Sequence, residues 1–290
     1  MTLRILSIVL PIFLIALLGY VYGRYRRPDM SVVNQINMDV FVPALIFYAL
    51  SRRDFAFGEY SMIALGVLIV MLGSGLLAYP VGRALRLEWR TFVPPMMFTN
   101  VGNLGLPLMV LAYGDAALSI AVIFLVMENT LHFTLGRYFL DHSVRPWHVL
   151  KSPVVLATIA GLAFSLGDLS LPQALSLPIE MVGNISIPLL LFSLGVRLVD
   201  IDWGEWRIGL VSAVVCPATG VVIALVTGRL LGLPDLQYGQ LILFGALPPA
   251  VLNYLFAEQF RQEPEKVASI VMIGNLAAVV TIPAALYWLL

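Results

Sequence analysis

Charge is scarce in this chain. Only 12% of its 290 residues are Asp, Glu, Lys or Arg, against about 25% in a typical soluble domain. The 17 basic and 17 acidic residues cancel, so the basic footprint of a nucleic-acid partner is missing. Cysteine is nearly absent. Cys216 on its own allows neither an intramolecular disulfide nor a cysteine metal cluster and reads as a small packing residue. With three histidines, no G-x-S-x-G and no H-E-x-x-H, there is no recognisable catalytic constellation. Neither an enzyme nor a metal or other cofactor is expected.

What remains is apolar: 60% of the chain is hydrophobic. Between Gly58 and Gly82 the only charge is Glu59, and Ile208 to Gly228 has none. About 20 apolar residues suffice for a helix to cross a hydrocarbon core of roughly 30 Å. Reading the runs between charged or Pro/Gly-rich breaks predicts an all-α membrane protein of ten spans, near 4–22, 31–50, 59–82, 91–113, 116–139, 152–168, 174–197, 207–231, 237–257 and 268–289. Arg24, Arg26 and Arg27 follow the first apolar run rather than precede it, the reverse of a cleavable signal, so this span is expected to be kept. The longest connection, 140–151, separates a first half, 1–139, from a second, 152–290.

Loop charge orients the chain. Lys and Arg concentrate in the loops around 24–27, 83–90, 137–151, 197–207 and 261–266, while the opposite side has only Arg4, Arg52, Arg53 and Arg229. The positive-inside rule then puts both termini outside a cell membrane and the connector in the cytoplasm. Five spans per half give halves of opposite orientation, the inverted repeat found in many carriers. Pro43-Ala44-Leu45-Ile46-Phe47 in span two and Pro188-Leu189-Leu190-Leu191-Phe192 in span seven are in keeping with it.

Spans four and nine differ from the rest. Span four carries Pro94-Pro95 and then Thr99-Asn100-Val101-Gly102-Asn103-Leu104-Gly105-Leu106-Pro107; span nine carries Gly245-Ala246-Leu247-Pro248-Pro249-Ala250-Val251-Leu252-Asn253. Proline removes a backbone donor and clashes with the preceding turn, so neither span is expected to be one unbroken helix. A break inside a bilayer must be buried in protein or line a watery cavity. Breaks at corresponding places in two halves point to a midplane substrate site, although two kinked packing helices would carry the same residues.

The run Asn100 to Pro107, the segment Pro43-Ala44-Leu45, and the stretch Gly245-Ala246-Leu247-Pro248 through Tyr254-Leu255-Phe256-Ala257-Glu258 resemble the auxin efflux carrier family over essentially the whole chain. The resemblance implies ten helices in two inverted five-helix repeats, with broken helices four and nine crossing beside the substrate. It also implies elevator-type alternating access, a small carboxylate such as malate or an auxin-like acid as substrate, and a homodimer. Asn100 matches the asparagine beside the family's span-four crossover, a substrate contact in plant members, and Pro248 matches the span-nine crossover proline. Thr99 stands where plant members have proline, which brings Gly102 and Asn103 forward as crossover residues. The candidate substrate residues are therefore Asn100, Gly102, Asn103, Gly105 and Asn253, with Thr99, Pro107, Pro248 and Pro249 shaping the crossover.

Span five holds Glu128, Asn129 and His132, which share one helical face. An ionisable group at the bilayer centre costs about 2.5 kcal/mol or more, so it is kept where it faces a cavity or a partner. Glu128 and His132 read either as a proton-coupling or gating pair or as a neutral pair that locks the bundle. Asp39, after Asn34, Gln35 and Asn37, reads either as a pathway residue or as a solvated helix end. Asn275 in span ten reads as helix packing. A sodium-coupled symporter of the bile-acid type and a channel remain the alternatives to an organic-anion carrier.

Overall fold

The computed structural model describes residues 2–51, 57–142, 150–167, 169–200 and 204–290. Residues 143–149 of the predicted connector, with Arg145, lie outside the described residues, as do Arg52 and Arg53. All regular elements among the described residues are helical. The first half runs α1 (Thr2–Arg26), α2 (Ser31–Ile36), α3 (Val42–Leu50), α4 (Phe57–Ala84), α5 (Trp89–Met97), α6 (Leu106–Tyr113), α7 (Leu118–Leu131) and α8 (Arg137–Leu140). The second runs α9 (Pro153–Leu166), α10 (Gln173–Asn184), α11 (Ser186–Arg197), α12 (Trp206–Leu230), α13 (Asp235–Gly245), α14 (Val251–Gln259) and α15 (Pro264–Leu289). Three wide π-helical turns interrupt the first half, at Asn37–Phe41, Val101–Gly105 and His132–Gly136.

Seven helical stretches are long and apolar enough to cross a bilayer, and Val101–Tyr113 and Pro153–Leu166 are shorter apolar helices. The exposed side chains fit such a setting. α1 turns Leu3, Leu6, Leu10, Leu14 and Leu17 outward while burying Ile5, Ile8, Ile12 and Ala16. An apolar stripe of that length is a liability in water and at ease against acyl chains. The predicted spans 91–113 and 237–257 are not continuous helices. α5 stops at Met97 and α13 at Gly245, so each is split in its middle.

The most extensive helix–helix packing falls into two groups. α1 lies along α11, and α3 lies along α9 and α10. Separately, α12 gathers α4, α13 and α15, with α5 packed on α4. In the first group the backbones of α1 and α11 nearly touch. A Cβ on Gly195 would lie 1.8 Å from the Ala16 carbonyl oxygen, and one on Gly19 would lie 2.1 Å from that of Phe192. Small residues allow this approach, which is what holds helices together where lipid cancels any hydrophobic drive between them.

The second group is tied at one end by a polar knot. Thr91 Oγ1 donates to Glu263 (2.5 Å), Gln262 Nε2 donates to Thr91 Oγ1 (3.0 Å), and Lys266 pairs with Glu263. Burial alone would raise the Glu263 carboxyl, but the hydrogen bonds from Lys266 and Thr91 win and hold it below its ordinary value. A lowered carboxylate stabilises the folded protein above the ordinary value of 4.5, and that contribution is lost as pH falls further. Glu263 and Lys266 are half-exposed, so we expect Glu263→Gln to melt only about 1–2 °C below wild type at pH 7. The gap should close toward about pH 3. A gap of constant size in thermal melts across that range would refute the ionic knot.

The crossing of the two breaks and its cavity

The second break is extended for a local reason. The residue before a proline is pushed out of the α region, so Leu247 and Pro248 are drawn out ahead of Pro248-Pro249. On the other side Phe98 leaves α5 at φ −103, ψ 108. The two extended pieces meet as the one antiparallel bridge among the described residues, Thr99 with Pro249. The Asn100 N–H donates to the Pro248 carbonyl (2.7 Å), and the Ala250 N–H donates to that of Phe98 (2.9 Å). The prolines have no N–H to strand: on their side Ala250 donates and the Pro248 carbonyl accepts, and on the other side Asn100 donates and the Phe98 carbonyl accepts. Pro94 and Pro95 sit inside α5 and not at the break itself.

Asparagine side chains bolt this crossing. Asn275 Nδ2 donates to the carbonyls of Pro249 (2.9 Å) and Val271 (2.8 Å). Its Oδ1 therefore faces the other way and accepts from Asn100 Nδ2 at 2.6 Å. That in turn fixes the Asn100 amide, whose Oδ1 accepts from the Asn103 N–H at 3.3 Å. With carbonyls at one end and an N–H at the other, the orientation of both amides follows from donor–acceptor matching alone. Asn253 Nδ2 completes the joint by donating to the carbonyls of Phe98 (3.0 Å) and Ala250 (2.9 Å). Asn275, read from the sequence as a packing residue, is thus the clamp between the breaks.

A cavity of about 440 Å³ opens on one side of the crossing. Thr99, Asn100, Gly102 and Asn103 line it from the first break, Glu128, Asn129 and His132 from α7 and the turn after it, and Ala250, Val251 and Leu252 from the second break. Two helix starts thus face one space: the turn at Val101 and the N-terminus of α14. Ala250, the α14 N-cap, has no side-chain oxygen and gives no capping bond. The first N–H groups of a helix lack intrahelical partners and carry partial positive charge, a ready anion site. The Glu128 carboxyl, 4% exposed, lies against the Val101 N–H. His132 stacks on Phe98 with ring centroids 4.1 Å apart and planes 4° apart, and meets Phe256 edge-on at 5.1 Å.

Other candidates fall outside this lining. Asn253 is behind the crossing, beside His132. Gly105 packs against Leu247, Pro107 is buried in the first turn of α6, and Pro248 and Pro249 contribute backbone to the joint. Asp39 is exposed and lines a separate cavity of about 160 Å³ beside the start of α9. Asn34, Gln35 and Asn37 do reach the main cavity, and so do Leu190, Ser193 and Arg197 of α11. The α11 residues escape sequence reading because their run is ordinary apolar helix with a terminal arginine. Their period of three and four is the only signal they carry.

Apolar outer faces, helices of membrane-crossing length and a polar cavity at two paired breaks define a multi-pass membrane protein. A family model described as "Membrane transport protein" matches residues 4–143 and 138–286. The chain belongs to this family of transporters, that of the auxin efflux carriers. It is 25% identical over 294 residues to a transporter of Methanothermobacter thermautotrophicus, covering 95% of each chain. It is 26% identical over 311 residues to a Rhizobium meliloti protein named "Putative malonate transporter", covering 98% of this chain and 95% of that one. A transporter of Escherichia coli is 23% identical over 303 residues, covering 96% of each.

Proposed function

We propose that this transporter is a carrier of small organic anions that holds its substrate at the crossing and works by alternating access. The observation that carries the reading is the meeting of two helix starts and Asn100 in one cavity, because the partial positive charge at helix starts attracts a carboxylate. The Rhizobium meliloti relative's name, which mentions malonate, agrees with a carboxylate.

The packing supports an elevator. The cavity lies between the two helix groups, with Asn37, Ser193 and Arg197 on one wall and the crossing on the other. α1, α2, α3 and α9 to α11 would stay as scaffold while the remaining helices carry the site. An inverted repeat is supported by pairs of like contacts: α1 on α11 answers α3 on α9, and α4 on α5 answers α12 on α13. With both termini outside, the second cavity, of about 520 Å³ beside Asp29 and Glu258, opens toward the cytoplasm.

Glu128 gives this reading a coupling step. An ionised Glu128 and a bound carboxylate would place two negative charges in one buried space, which is costly, so anion binding favours protonated Glu128. Uptake into proteoliposomes of a labelled acid panel including malonate, with and without an inward proton gradient, tests both points. Saturable uptake and counterflow identify a carrier, and a sodium requirement or unsaturable flux would identify a symporter of another kind or a channel. Glu128→Gln should keep saturable uptake while losing most of its stimulation by the proton gradient. Full stimulation in that variant would remove Glu128 from the coupling step. Folded, inserted protein that moves none of the acids would overturn the carrier reading.

A further inference from the structure

Arg197 ends α11 and lines both the cavity at the crossing, the inner one, and the cavity beside Asp29 and Glu258, the outer one. Leu190, Ser193 and Arg197 lie three and four residues apart, so one face of α11 presents all three to the inner cavity. That helix packs directly on the Val101–Gly105 turn, which puts this face close to the crossing. Among the described residues Arg197 is the one Arg or Lys in either lining, and no Asp or Glu forms an ion pair with it. Tyr254 is its charge-sensitive neighbour. Of the three acids of the outer rim, Glu258 accepts from the Tyr254 hydroxyl (3.2 Å), Asp29 accepts from the Ser31 N–H (2.8 Å), and Glu265 is exposed.

Two buried polar groups beside Arg197 in the inner lining are also unanswered. Ser193 Oγ, 3% exposed, and the amide of Asn37, 0% exposed, have no hydrogen-bond partner among the described residues. Folded proteins rarely leave such groups unpaired unless something else pairs them. An arginine that only anchored a helix end would reach for the headgroups, whereas Arg197 is half-buried and lines two internal cavities. Its planar fork is the side chain best suited to gripping a carboxylate through two parallel hydrogen bonds.

We infer that Arg197 and Ser193 form a second anion subsite in the cavity that holds the crossing, so that the substrate is an aliphatic dicarboxylate. One carboxylate sits at the helix starts beside Asn100, and the other sits at Arg197. This rests on the carrier reading above and narrows it. A monocarboxylate fills only the first subsite.

Isothermal titration of the purified protein with malonate and with malonamate, its monoamide, separates the subsites, since the two acids differ by one charge at nearly equal size. Wild type should bind malonate at least about tenfold more tightly. Arg197→Gln should weaken malonate about tenfold, the worth of one charge-assisted contact, and leave malonamate within about twofold. Arg197→Lys should recover part of the loss. Equal affinities in wild type, or an equal loss of both acids in Arg197→Gln, would overturn the second subsite. If malonamate binding is lost in Asn100→Ala while Arg197→Gln leaves malonate unchanged, the carrier reading stands and the second subsite falls. If folded wild type binds neither acid, both fall together.

Discussion

Asn100→Ala is expected to lower carboxylate uptake by about a hundredfold, and Asn275→Ala by at least about tenfold although Asn275 does not line the cavity. Removing the Asn100 amide deletes the Asn275 contact (2.6 Å) and the acceptor for the Asn103 N–H (3.3 Å). It also leaves the buried Asn275 oxygen unpaired. Each orphaned buried group costs about 1–3 kcal/mol, and about 1.4 kcal/mol is a factor of ten. Asn275→Ala orphans the Pro249 carbonyl and frees Asn100 to rotate, so the helix starts lose their fixed relation. Because the two amides act as one joint, their effects should not add. A double variant no worse than Asn100→Ala alone would show that coupling in a cycle of uptake rates. Independent, additive losses would mean that Asn275 acts elsewhere. An Asn275→Ala protein that transports as wild type would show that the clamp is not needed to hold the site.

Gly220→Val is expected to prevent accumulation of folded protein, or to lower its melting temperature by about 5 °C or more. α12 and α13 meet backbone to backbone there. A Cβ at Gly220 would lie 2.1 Å from the Gly245 carbonyl oxygen, and one at Gly245 would lie 2.4 Å from that of Gly220. Overpacking against side chains costs about 1–3 kcal/mol, and a backbone neighbour cannot swing aside to relieve it. Gly245 is also the last residue before the second break, so any displacement reaches the crossing. Gly102→Ala is the control. Its added methyl would lie at an ordinary 3.4 Å from Leu125 Cδ1, and it should melt within about 1 °C of wild type. A Gly220→Val protein as stable as that control would mean that the two helices are not so closely packed.

Local chemistry made the breaks legible. Pro248-Pro249 and the Asn100-Val101-Gly102-Asn103-Leu104-Gly105 run both disfavour a regular α-helix; α13 ends ahead of the prolines, and the first break falls at Phe98–Asn100, with a π turn over Val101–Gly105. The first-half lining was legible for a related reason: Asn100, Asn103, Glu128, Asn129 and His132 are too polar for lipid, and all of them reach the cavity, with Gly102 between the two asparagines. Residues defined by distant packing were not. Asn275 sits 175 residues from the amide it holds, inside an apolar run where one asparagine looks like helix glue. Arg197 counts in sequence as one more basic residue at a membrane face, and only the placement of α11 against the Val101–Gly105 turn turns it inward. Asp39 allowed two readings from sequence, a pathway residue or a solvated helix end. Its neighbours Asn37 and Met38 reach the main cavity, while it turns to a separate one.

The three π turns have a consequence for how this cavity changes over time. Each supplies two adjacent lining residues: Asn37 and Met38, Gly102 and Asn103, His132 and Phe133. In an α-helix consecutive residues point about 100° apart, and a π turn holds its helix one residue out of phase. Deleting one residue from such a turn would restore the α register and take the bulge away, while the helix beyond keeps its facing. A deletion in a regular α-helix would instead rotate everything beyond it by about 100°. Among relatives of this chain, a single-residue deletion at one of these three places would therefore alter the lining pair there and leave the lipid-facing side of the helix beyond it in place.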